Sequence, residues 1–185
     1  MAQYSKGELV KNILLTLASI GAVATFVVLP GMTAVLSLFK PRNKKERSSL
    51  GRTLHSMKIN GFVNIRKQGI NYSLSITSKG QRRLARYHFD NLSLKKQKRW
   101  DGLWRLVTFD IPETKRGARI SLNIKLKELG FLPFQKSMFL YPYNCKEEID
   151  FIKDYFNSHD HIKYFLVKGF EGNEKFKRHF KITES

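Results

Sequence analysis

Lys44, Lys45, Ser48, Arg52 and His55 recur at spacings that bring their side chains to one side of a helix. Cations, a hydroxyl and an imidazole so arranged can hydrogen-bond phosphate oxygens and base edges in a major groove. Arg66 and Lys67 follow beside Gln68-Gly69. Two cations at a hairpin tip suit a flanking phosphodiester backbone. The other candidate chemistries are thinner. His159-Asp160-His161 has the residue types of a metal box. Two histidines at i, i+2 suit a loop or strand, however, and no third ligand stands at a recognisable spacing. Cys145 opens a predicted helix, where a thiol pKa can fall. No His/Asn partner motif makes it a nucleophile. As the only cysteine it excludes an internal disulfide, argues against a cysteine-based zinc site, and fits a reducing cytoplasm. The chain has no Walker glycine loop, no Rossmann fingerprint and no Ser-centred hydrolase elbow.

The elements that must hold the basic face follow from periodicity. Over Lys44–Ile59, Leu50, Leu54 and Met57 fall at i, i+4 and i+7, a buried stripe. At about 100° per residue, Lys45, Ser48, Arg52, His55 and Ser56 lie opposite, with Glu46 near the core edge. Asn60-Gly61 ends that helix. Phe62–Lys67 and Ile70–Ile76 then flank Gln68-Gly69 as a hairpin, with Ile70, Tyr72, Leu74 and Ile76 alternating against Asn71, Ser73 and Ser75. Thr77 or Ser78 caps a basic helix over Gln81–Tyr87. Upstream, Ile13–Phe39 is free of charge, long enough to raise the question of a membrane span. Pro30-Gly31 interrupts it, and Gly, Ala, Ser and Thr dilute it. It reads as two buried helices, about 7–29 and 32–39, and not as an anchor. Three helices, a hairpin and a further helix form the order of a winged helix-turn-helix.

Charge divides the chain in the same place. Residues 1–100 hold 19 Lys+Arg against three acids, Glu8, Glu46 and Asp90, whereas residues 101–185 hold 15 against 12. One strongly basic module beside a nearly balanced one implies that a single half meets a polyanion, most simply double-stranded DNA. A hydrophobic content of 42% with 14 Phe excludes a disordered basic tail. The divisions predicted are a winged helix over residues 1–90, a basic linker over 91–100, and a second domain over 101–185.

That second domain reads β-α-β-β-α-β. Its strands are Leu103–Phe109, Phe131–Phe134, Lys136–Tyr143 and Ile162–Phe170, and its first helix is Lys115–Leu129. Asn144 and Glu147 have the spacing of a capping box at the start of the second helix. The fold class is therefore α+β, an N-terminal winged helix followed by a ferredoxin-like domain.

Trp100-Asp101-Gly102-Leu103-Trp104-Arg105-Leu106-Val107-Thr108-Phe109-Asp110-Ile111-Pro112-Glu113 is distinctive, as are Leu126-Lys127-Glu128-Leu129-Gly130-Phe131, Gln135-Lys136-Ser137-Met138-Phe139 and Tyr141-Pro142-Tyr143. Together they resemble the central domain of the PaaX family of phenylacetate-pathway repressors, a domain similar in turn to the CRISPR-associated protein 2 family. The resemblance is close over residues 100–182 and looser in the first module, and the chain reads as a two-domain relative of the full-length repressors. It implies a cytoplasmic, homodimeric transcriptional regulator, a repressor by the family's role, with dimerisation through residues 101–185. Lys44, Lys45, Ser48, Arg52 and His55 would read or clamp DNA, Arg66 and Lys67 would serve as wing contacts, and no cofactor is required. The same resemblance carries a rival reading. The acid ending the first strand is the metal ligand of the CRISPR-associated family, and Asp110 occupies that position. Two copies of Asp110 across a dimer would hold one Mg²⁺ for phosphodiester cleavage. In that version the chain is a nuclease, or a structural partner of a CRISPR integrase.

Overall fold

The computed structural model describes residues 6–21, 27–95, 97 and 99–182. It is an α+β chain of two compact units, Met1–Asp90 and Asn91–Ser185.

The first unit opens with α1 (Lys6–Ser19), which buries Ile13, Leu14 and Leu17. β1 (Val27–Pro30) follows, then α2 (Gly31–Ser37), α3 (Lys44–Ile59), β2 (Val63–Gln68), β3 (Asn71–Ile76) and α4 (Ser78–Asp90). The strands form one antiparallel sheet in the order β1-β3-β2. β1 corrects the expectation of a helix reaching residue 29. Val27 and Val28 are β-branched and fit a pleated edge, and β3 supplies that edge, pairing Val27 with Leu74 and Leu29 with Tyr72. Residues 22–26 of the apolar run lie outside the described residues. Among the described residues no helix is long and apolar enough to cross a membrane. The hairpin turn is also one residue later than expected: Gln68 pairs with Asn71, leaving Gly69, with φ +59, and Ile70 between the strands.

Leu50, Leu54 and Met57 of α3 join Ile13, Leu14, Leu17, Val63, Leu74 and Ile76 in one core. Each such side chain contributes about 1.5–3 kcal/mol on burial. Thr77 and Gly80 fasten α4 to the hairpin. The Thr77 hydroxyl donates to the Gly61 carbonyl at 2.5 Å and accepts from Gly80 N at 3.0 Å. A Cβ on Gly80 would lie 2.1 Å from the Phe62 carbonyl oxygen, so only glycine allows this approach.

The second unit runs β4 (Trp104–Phe109), a 3₁₀ turn (Glu113–Lys115), α5 (Arg116–Glu128), β5 (Leu132–Gln135), β6 (Met138–Tyr141), α6 (Lys146–Phe156), β7 (Ile162–Val167) and α7 (Glu174–Phe180). Its sheet is antiparallel in the order β5-β6-β4-β7. Leu122 and Leu126 of α5 and Ile149 and Ile152 of α6 are buried. Trp104 sits in an aromatic cluster with Trp100, Phe170, Phe176 and Phe180. The distinctive tryptophan-rich segment is thus held by its own contacts. The Trp100 indole donates to the Leu103 carbonyl at 2.9 Å. Arg105 is buried, ion-paired with Asp101, and donates to the Pro142 carbonyl at 2.8 Å. Residues 91–100 belong to this unit, where the Gln97 amide donates to the Asn144 carbonyl at 2.7 Å.

Candidate nucleic-acid interface

The start of α3 is fixed by two side-chain bonds to backbone. The Asn43 side chain accepts from Glu46 N at 2.8 Å, and the Glu46 carboxylate accepts from Arg42 N at 2.8 Å. Asn43 thereby satisfies one of the four unpaired amides that every helix start presents. Glu46, the one acid of α3, is exposed in the first turn and not at the core edge, and its carboxylate is committed to backbone.

Along the rest of α3 the inner side is Leu50, Thr53, Leu54 and Met57. Lys44, Lys45, Ser48, Arg52 and His55 are all exposed on this one helix. Lys45 and Ser48, Ser48 and Arg52, and Arg52 and His55 are three or four residues apart, so they are surface neighbours. Ser56 is partly withdrawn, with its hydroxyl 3.3 Å from the Asn60 amide. Among the described residues no carboxylate forms an ion pair with Lys44, Lys45 or Arg52.

Arg66 and Lys67 are exposed on β2, opposite Ser73 and Tyr72. The Lys67 ammonium lies 6.0 Å from the Tyr72 ring centre. They stand along the outer strand, a little before the turn itself. The hairpin leaves α3 directly: Phe62 N donates to the Met57 carbonyl at 2.8 Å. The three-residue link between α3 and β2 therefore fixes these two cations relative to the basic helix face.

Three further cations went unread in the sequence. Lys40, Arg42 and Arg47 join Lys44 around a cleft between the end of α2 and the start of α3, completed by Ser37, Pro41 and Asn43. The density of Lys and Arg between positions 40 and 47 was the available signal. The basic helix α4 differs: Lys79 lies 5.5 Å from the Phe62 ring centre, Arg83 lies 4.8 Å from that of Tyr87, and Arg86 pairs with Asp90 at 2.9 Å. These cations are engaged within their own unit.

The remaining candidates belong to the second unit. Asp110 is exposed just past β4, and its backbone N donates to the His161 carbonyl at 2.9 Å. Among the described residues no group of three or more His, Cys, Asp or Glu is placed to hold a metal ion. One exposed carboxylate supplies too few oxygen ligands for Mg²⁺ within one chain, and a shared site would draw an Asp110 from each of two copies. His159 Nε2 lies 2.6 Å from Asp154 Oδ1, so a carboxylate of α6 already engages it. Cys145 is buried beside Tyr164 and Arg105, and burial pushes its thiol up to about 12, the opposite of an activated nucleophile.

Residues 97–178 match the family described as PaaX protein central Cas2-like domain. No curated protein matches the chain.

Proposed function

We propose, from the match of residues 97–178 to the PaaX central Cas2-like domain, that this protein is a dimeric DNA-binding transcriptional regulator acting as a repressor. The observation that carries the reading is the exposed face of Lys44, Lys45, Ser48, Arg52 and His55, followed at once by a hairpin bearing Arg66 and Lys67. We read the first unit as a winged helix, because α1, β1, α2, α3 and the β2–β3 hairpin follow in that order around a three-stranded sheet. α3 enters the major groove and the hairpin lies along the neighbouring backbone.

We read the second unit as ferredoxin-like from its β-α-β-β-α-β order and its β5-β6-β4-β7 sheet. Its task is to join two readers. Phe165 and Leu166 support this, since both stand exposed on the edge strand β7, at 49% and 58%. An apolar edge is a surface that a second copy can cover. Two linked readers double the phosphate contacts and impose a fixed half-site spacing. Selection of bound duplexes from a random pool tests the whole reading. The expected result is a two-fold symmetric or repeated motif; a pool that stays random after selection refutes sequence-specific regulation.

A further inference from the structure

We infer that the cleft between α2 and α3 holds one phosphate of the DNA backbone, clamped by Lys40, Arg42, Lys44 and Arg47. This rests on the DNA-binding reading and adds to it a sequence-independent anchor at the entry to the basic helix. The amino end of α3 is not the basis of the site, and Asn43 already takes one of its amides. The basis is four cations around one concave surface, with no carboxylate among the described residues paired to any of them. Like charges gathered in this way repel one another, and an anion seated among them relieves that repulsion. The Ser37 hydroxyl lies in the same lining, although it donates to the Thr33 carbonyl at 2.9 Å.

Lys40 adds a conformational argument. Its φ is +48, in the left-handed region that favours glycine, and it stands directly before Pro41. A lysine there is the strained choice for the fold, and it places a charge on the cleft. Glycine at this position would relax the backbone while removing that charge, which separates the two roles in a single variant.

The test uses the full chain and a mixed-sequence DNA duplex, with affinity followed across a salt series. Lys40→Gly and the double variant Arg42→Gln/Arg47→Gln are compared with Arg52→Ala. Each cleft variant is expected to keep its melting temperature, and Lys40→Gly to equal or exceed the parent. The double variant is expected to lose about one from the slope of log affinity against log salt, and about tenfold in affinity near 0.1 M salt, equally for every sequence. Arg52→Ala is expected to alter which sequences are preferred. If the parent binds duplex and the double variant retains both slope and affinity, the cleft is not a phosphate site, while the DNA-binding reading stands. If a cleft variant changes sequence preference, the assignment to backbone phosphate is wrong. If the parent ignores duplex even at low salt, the DNA-binding reading itself fails, and this inference with it.

Discussion

The two units spend the same cations differently. In the second unit Arg119 pairs with Glu113 at 2.8 Å, Lys125 with Glu128 at 2.7 Å, and Lys177 with Glu174 at 3.0 Å. Lys146 pairs with Asp150, and Arg105 is buried against Asp101. On α3 of the first unit the cations have no such acids among the described residues, and the helix's one carboxylate is turned to backbone. Composition alone counts Lys and Arg alike in both halves. Pairing distinguishes a charge that holds a fold from a charge left available to a polyanion.

Perturbing each half separately tests that contrast. The largest effect is expected from Gly80→Ala. Its new Cβ would collide with the Phe62 carbonyl, prising α4 from the hairpin at a cost of about 3 kcal/mol. Thermal unfolding should show a lowered transition for the first unit and an unmoved one for the second. Arg52→Ala is next: it should weaken duplex binding by about 1–3 kcal/mol, read by titration at fixed salt, with no change in melting temperature.

Asp101→Asn should cost the second unit about 1–2 kcal/mol, a figure reduced because the Asp101 side chain is half exposed. Its hydrogen bonds from Arg105 hold the Asp101 carboxyl below the ordinary carboxylate range. The resulting stability is fully present above the unfolded value of about 4 and is lost as pH falls through the lowered folded value. The variant should therefore lack that acid limb in unfolding curves recorded from pH 6 down to about pH 2. The smallest effect is a null one. Cys145 should stay unlabelled by a thiol reagent at neutral pH until the second unit unfolds, because burial holds it protonated.

Much of this was legible in the sequence, for identifiable reasons. The stripe of Leu50, Leu54 and Met57 is a local signal, and it fixed which side of α3 carries Arg52. The hairpin alternation was legible too, although its turn slipped by one residue. β1 was hidden because Val27–Pro30 continues an apolar run. Hydrophobicity cannot tell a strand from a buried helix when the deciding partner, β3, lies more than forty residues away. The cleft was hidden for a different reason. Pro41 and Asn43 marked a loop correctly, but a loop's cations converge only once both flanking helices are placed.

The pairing of β1 with β3 bears on how the first unit forms. The β2–β3 ribbon closes over a two-residue turn, whereas Val27 must find Leu74 across most of the unit. Nearby contacts form first, because distant ones demand a larger loss of chain entropy. The ribbon should thus precede β1, leaving one flank of β3 with unsatisfied amides until the last strand arrives. During that interval a neighbouring nascent chain can add its own strand at the same place. The vulnerable moment for this protein is therefore during synthesis at high concentration, and slowing expression should raise the yield of correctly folded material.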